Sequence, residues 1–134
     1  MASTLIGAVE NPIRNQGLTT NPANNTTKEL VKLEGPGLFL SAELTKQGGN
    51  SDLTFVIIDI DGKNLVNISM AALFNQGLIS ANSYGISIFR SAAALETVTI
   101  GFPYPLTFKK SFSLKVTVKE SGVVQILANV LSAS

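Results

Sequence analysis

The sequence predicts an all-β protein: a β-sandwich or jelly roll of about eight short strands, with one short helix and an extended N-terminal arm. Three observations carry this. Short runs rich in β-branched and apolar residues recur from residue 30 onward, turn residues separate them every ~8–12 positions, and only one segment has helical character. At 134 residues the chain is one domain's worth, long enough to bury about two-thirds of the surface its unfolded form exposes.

The segments follow in order. Residues 1–29 are set apart as an arm, because "ENPIRNQGLTTNPANNTTKE" is polar, rich in Asn and Thr, broken by Pro12, Gly17 and Pro22, and without periodicity. Leu5, Ile6, Val9, Ile13 and Leu18 are its sparse apolar residues and the expected partner-binding anchors, the alternative being an arm folded back on its own domain. Residues 30–134 form the expected sandwich domain. "ELVKLEG" starts it with a short strand. "GLFLSAEL" alternates, which sets Leu38, Leu40, Ala42 and Leu44 on one face and Phe39, Ser41 and Glu43 on the other. "KQGGNSD" is a loop. "LTFVIIDI" is apolar on both faces, as in a central strand, and "NLVNIS" follows it.

Ser69 is placed to cap a two-turn helix over "MAALFNQ", with Gly77 just past its end. "SYGISIFR" and "ETVTIGF" are two further strands, and "FPYPLTF" is a crossing whose Pro103 and Pro105 cannot sit in a central strand. In "SFSLKVTVKES" Phe112, Leu114, Val116 and Val118 alternate strictly with Ser113, Lys115, Thr117 and Lys119, the mark of a strand with one wet face. After the Ser121–Gly122 turn, "VVQILANVL" is the last strand. The expected core comprises Leu40, Phe55, Ile57, Ile58, Leu114, Val116, Val118 and Ile126.

Composition narrows the function. Charged residues are 14% of the chain, against about 25% in a typical globular protein. A surface so poor in charge suits a protein whose faces are covered by neighbours. The net charge of +1 gives no pull on nucleic acid or membrane. With neither cysteine nor histidine, zinc sites of sulfur or imidazole and Ser-His-Asp or Cys-His catalysis are excluded. No apolar run approaches the ~18 residues of a membrane span. "MASTLIGAVENP" lacks the features of a signal peptide, so a cytoplasmic product, assembled there into something larger, is expected.

One stretch, "FVIIDIDGKNL", resembles the middle of a calcium loop. With Gly62 at the sixth position of such a loop, Asp61 and Asp59 fall at the fifth and third, but the first and twelfth are Ile57 and Ile68. Two strong ligands are missing. Asp-Gly between two apolar strands is instead a hairpin turn, and no metal or cofactor is expected. Lys109, Lys110, Lys115 and Lys119 lack interleaved aromatics and read as a solvated edge rather than a nucleic-acid site. Only Tyr84 and Tyr104 could stack on a sugar.

Several motifs together resemble the small β-sandwich virion proteins of tailed bacteriophages, of the head decoration or cement type. They are the entry Gly37 to Leu40, the hairpin Ile58, Ile60, Asp61 and Gly62, and the later set Pro105, Leu106, Phe108, Ser111 and Phe112. The resemblance covers about residues 33–131. It implies a non-enzymatic structural protein of the virion, a homotrimer that binds the major capsid protein or another virion protein on the outer capsid surface. The arm would be its reaching element. The alternative within the same resemblance is a tail or head-fibre module that binds a host receptor or carbohydrate.

Overall fold

Strict alternation over residues 111–118 puts Phe112, Leu114, Val116 and Val118 on one face, and all four are fully buried. Around that strand the rest of the sandwich is arranged. The computed structural model describes residues 11–134. In chain order its elements are β1 (Pro12–Thr20), β2 (Thr26–Glu34), β3 (Gly37–Gly48), β4 (Thr54–Ile60), β5 (Lys63–Ser69), α1 (Met70–Asn75), β6 (Ile86–Ala92), β7 (Leu95–Ile100), β8 (Leu106–Phe108), β9 (Ser111–Val118) and β10 (Val123–Ala133).

Two antiparallel sheets face each other. The large sheet runs β1-β10-β3-β7-β6, with β8 also on β3, and the small sheet runs β2-β9-β4-β5. The pairing is nested: β1 with β10, β2 with β9, β3 with β7 and β8, β4 with β5. A chain folded back on itself in this way and then wrapped into two sheets is a jelly roll. Ser69 Oγ accepts from the Ala72 N–H at 3.0 Å, and Gly77, at φ 74°, closes the helix with its N–H on the Phe74 carbonyl. The helix is therefore bounded as its sequence predicts.

The arm is corrected over its described part. Residues 12–20 are not a free extension but β1, which pairs along its whole length with β10, from Pro12 opposite Ala133 to Thr20 opposite Gln125. The expected boundary at residue 29 falls inside β2. Leu5, Ile6 and Val9 lie outside the described residues. Two causes hid β1. An edge strand is held by its backbone ladder and needs no apolar face, and the one fully enclosed position is Gly17, where a Cβ would stand 2.0 Å from the Leu30 carbonyl oxygen. Only glycine allows β1 to approach β2 so closely. The Asn-rich stretch is the turn between them: Asn21 and Asn25 take φ 47° and 63°, a region Asn tolerates.

β3 departs from simple alternation. Phe39 pairs with Ser132 and Ser41 with Leu131, which leaves Leu40 as an extra residue in a bulge. The bulge turns Phe39 inward beside Ala42 and Leu44, while Leu40 is only half-buried. Phe39 then stacks on Phe112 at 4.8 Å between centroids and meets Phe102 edge-on at 6.2 Å. On β4 the inward set is Thr54, Val56 and Ile58; Phe55 and Ile57, expected in the core, lie half-buried on the outer face. Ile126 is buried as expected.

Candidate functional site

Asp61 and Gly62 take φ 53° and 80°, the paired positive values of a tight hairpin turn between β4 and β5. The Asp61 carboxylate has a second task. It accepts from the backbone N–H groups of Lys109 (3.0 Å), Lys110 (2.7 Å) and Ser111 (3.1 Å), so one turn clamps the turn between β8 and β9. Those three donors hold its carboxyl below the usual range. Asp59 bonds to Asn64 (3.0 Å) and Lys115 (2.9 Å). The two carboxylates are thus engaged separately. The lysines are also dispersed: Lys115 is paired with Asp59, and Lys119 lies 5.7 Å from the Phe55 ring centre.

At the opposite end of the sandwich the chain crosses between sheets after β3 and after β9, and a buried ionic cluster joins the crossings. Lys46 Nζ lies 2.8 Å from Glu120, 3.0 Å from Asp52 and 3.3 Å from Glu96. Glu120 accepts besides from the N–H groups of Asn50 (2.9 Å), Ser51 (3.2 Å) and Asp52 (3.2 Å), and from the Thr54 hydroxyl (2.6 Å). Arg90 bridges Asp52 and Glu96 and packs over the Phe74 ring. Burial pulls Lys46 down, but Glu120 and Asp52 outweigh it and leave its pKa raised. Burial likewise opposes ionisation of Glu120, and its bonds to Lys46 and Thr54 more than reverse this. Glu96 is the exception: burial first, then Asp52, push its carboxyl above the ordinary value against Arg90 and Lys46. The Lys46 ammonium lies among these three carboxylates. The cluster is a clasp between the two sheets.

Sequence reading missed this clasp, although a signal for it was present. Lys46 is in phase with Ala42 and Leu44, Glu96 with Val98 and Ile100, and Glu120 with Val116 and Val118, all inward positions. Three charges on the inner parity of β3, β7 and the continuation of β9 must find one another.

The outer face of the large sheet carries rows of side chains aligned by the strand register. Gln16, Asn129, Glu43, Thr99 and Ser87 stand in register across five of its six strands. Gln16 donates to Asn129 (3.4 Å), Asn129 to Glu43 (3.1 Å), and the Ser87 and Thr99 hydroxyls bond at 2.8 Å. The next row is Leu18, Leu127, Thr45, Thr97 and Phe89, of which Leu18 and Phe89 are 55% and 62% exposed. A groove of about 580 Å³ opens where Arg14, Ser41, Glu43, Asn82, Ser87 and Thr99 meet. Of the expected anchors, Ile13 and Leu18 are both exposed, but they are five positions apart on β1 and so face opposite sides of it.

No family model matches the chain, and no curated protein matches it in sequence. Its fold is similar to that of a chain in the acidic stable capsid structure of Helicobacter pylori bacteriophage KHP30, at 14% identity and a TM-score of 0.54 over 95% of this chain and 90% of that one. It is also similar to the major capsid protein P2 of bacteriophage PM2, at 14% identity and a TM-score of 0.59 over 90% of this chain and 51% of that one. This chain spans about half of P2. At such identities the likeness establishes a shared jelly-roll fold.

Proposed function

We infer that the protein is a non-enzymatic structural component of a bacteriophage particle, a decoration or cement protein on the outer capsid surface. The observation that carries this is the end-to-end likeness to the KHP30 capsid chain, which leaves little of either chain unmatched. The surface agrees with it. Across five strands the outer rows around the groove hold one arginine and one glutamate, Arg14 and Glu43, among neutral and apolar residues, a composition that suits a covered face. The buried ionic clasp and the nested ladder supply a rigid unit of the kind a shell reinforcement needs.

In this reading the partner is the major capsid protein or another virion protein, the copies associate as a homotrimer, and the N-terminal residues Leu5, Ile6 and Val9 reach the partner together with exposed Ile13 and Leu18. The ten residues before Asn11 span up to ~33 Å if extended. The test is deletion of residues 1–10, which leaves β1 intact. Truncated protein should stay folded and bind particles far more weakly, with reduced resistance of the particles to heat. Wild-type occupancy by the truncated protein would remove the anchor from those residues. Sedimentation of the isolated protein as a monomer, together with separate single copies on the particle, would refute the trimer.

A further inference from the structure

The groove on the large sheet follows one row of the strand register. Arg14 stands opposite Leu131, and Leu131 opposite Ser41. One step beyond the pairing of Ile100 with Ala42 and Ile86, the row continues as Gly101 and Gly85, and the Gly101 N–H donates to the Gly85 carbonyl at 2.8 Å. A serine and two glycines put little side chain over the sheet along this row, which leaves the trough. Its lining is largely apolar. Ala42, Ile86, Ile100 and Val130 are buried beneath it, and Leu131, 39% exposed, and Ala81 stand at its surface. Arg14 lies at one end and makes no ion pair among the described residues.

The chain itself supplies an occupant. β1 starts at Pro12, so residues 1–10 join the described part beside the end of the groove that Arg14 lines. Asn11 takes φ 52°, a left-handed conformation that bends the chain where it leaves β1 instead of prolonging the strand. The reach fits. The way from Asn11 back to the level of Arg14 is about 10 Å and the four strand spacings from β1 to β6 about 19 Å, against ~33 Å for ten extended residues. The composition fits as well. In "MASTLIGAVE" the small Ala2, Ser3, Gly7 and Ala8 allow close approach to a shallow floor, while Leu5, Ile6 and Val9 have Leu131, Ala81 and the Arg14 stem to cover. Glu10 brings a carboxylate to the end where Arg14 stands. A segment tethered this close acts at an effective concentration of about a millimolar, an advantage no separate peptide has.

We propose that in the isolated protein this groove is the seat of the chain's own residues 1–10, laid across the large sheet from β1 towards β6. On the proposed function the same residues reach the partner in the particle, so the groove stores Leu5, Ile6 and Val9 out of water until assembly. That consequence rests on the proposed function; the seat itself does not.

The chain has no cysteine, so Ser3→Cys and Ala8→Cys each give a single place for a spin label on the full-length protein. In isotope-labelled protein the label at position 3 should broaden the amide signals of Gly85, Ser87 and Gly101, and the label at position 8 those of Arg14 and Leu131. Neither should affect Thr117 on the small sheet. Arg14→Glu and Leu131→Asp, both at exposed positions, should each lower the ratio of docked to undocked segment about tenfold and restore the signals, with an unchanged melting temperature. Broadening that is missing, or spread evenly over both sheets, overturns the proposal. So does broadening seen only when spin-labelled protein is mixed with isotope-labelled protein that carries no spin label, which gives the groove to a second copy. Docking in the isolated protein together with wild-type particle occupancy by the truncated protein would uphold the seat and remove the anchor.

Discussion

Replacing Glu120 with alanine should cost about 4 kcal/mol of folding stability, a large share of the ~5–15 kcal/mol of a typical domain. The figure is built from what the carboxylate holds. Five bonds end on it: three backbone N–H groups, the Thr54 hydroxyl and Lys46 Nζ. Asn50 and Ser51 are exposed, so water can replace their acceptor and their loss counts for little. Thr54 and Lys46 are fully buried and have no such recourse. An unsatisfied buried hydroxyl costs ~1–3 kcal/mol, and breaking a buried ion pair from one side costs ~3–5 kcal/mol. Asp52 and Glu96 remain beside Lys46 and bring the total toward the lower end. Urea unfolding followed by circular dichroism would measure it, with an unchanged slope as evidence that only stability has moved. Glu120→Gln keeps the shape and an acceptor oxygen, so it should cost less. A loss for Glu120→Ala below ~1 kcal/mol would put the clasp among ordinary surface ion pairs and refute the reasoning.

Val116→Ala removes two methyl groups from a fully buried site on β9 and should cost about 2 kcal/mol or more, read as a lowered melting temperature. The pH profile should have a maximum on the acid side of neutral. Because the folded state raises the Glu96 pKa, it holds that proton more tightly than the unfolded chain, so stability increases as pH falls toward the ordinary value of 4.5. Asp52 and Glu120 are depressed, and their contribution, present above ordinary carboxylate values, is lost as pH falls through their folded values. Melting curves of Glu96→Gln should lack the rise and keep the fall. Calcium and chelator should leave the melting temperature unchanged, since the Asp61 oxygens are engaged by N–H donors; a calcium-dependent rise abolished by Asp61→Asn would show otherwise.

What could be read from the sequence was whatever local chemistry decides. The alternation of β9, the Asp61–Gly62 turn and the Ser69 and Gly77 helix bounds each depend on residues within a few positions of one another, and the structure has them as expected. What escaped depends on distant partners. β1 has no pattern of its own, because β10 supplies its ladder and Leu30 the reason for Gly17. The face reversal at Phe39 comes from a bulge opposite Leu131 and Ser132, about ninety residues away. The groove is assembled from five strands and two loops, and its polar residues look like ordinary wet-face positions until register aligns them.

The pairing of Pro12 with Ala133 fixes how the molecule meets mechanical load. Tension applied between Pro12 and Ala133 would act across the β1–β10 ladder, perpendicular to the strands, and part its hydrogen bonds one at a time as a zip opens. A force entering through the strands of the large sheet lengthwise would instead shear many bonds at once. The β1–β10 ladder is therefore weak to tension between Pro12 and Ala133 and strong along its strands.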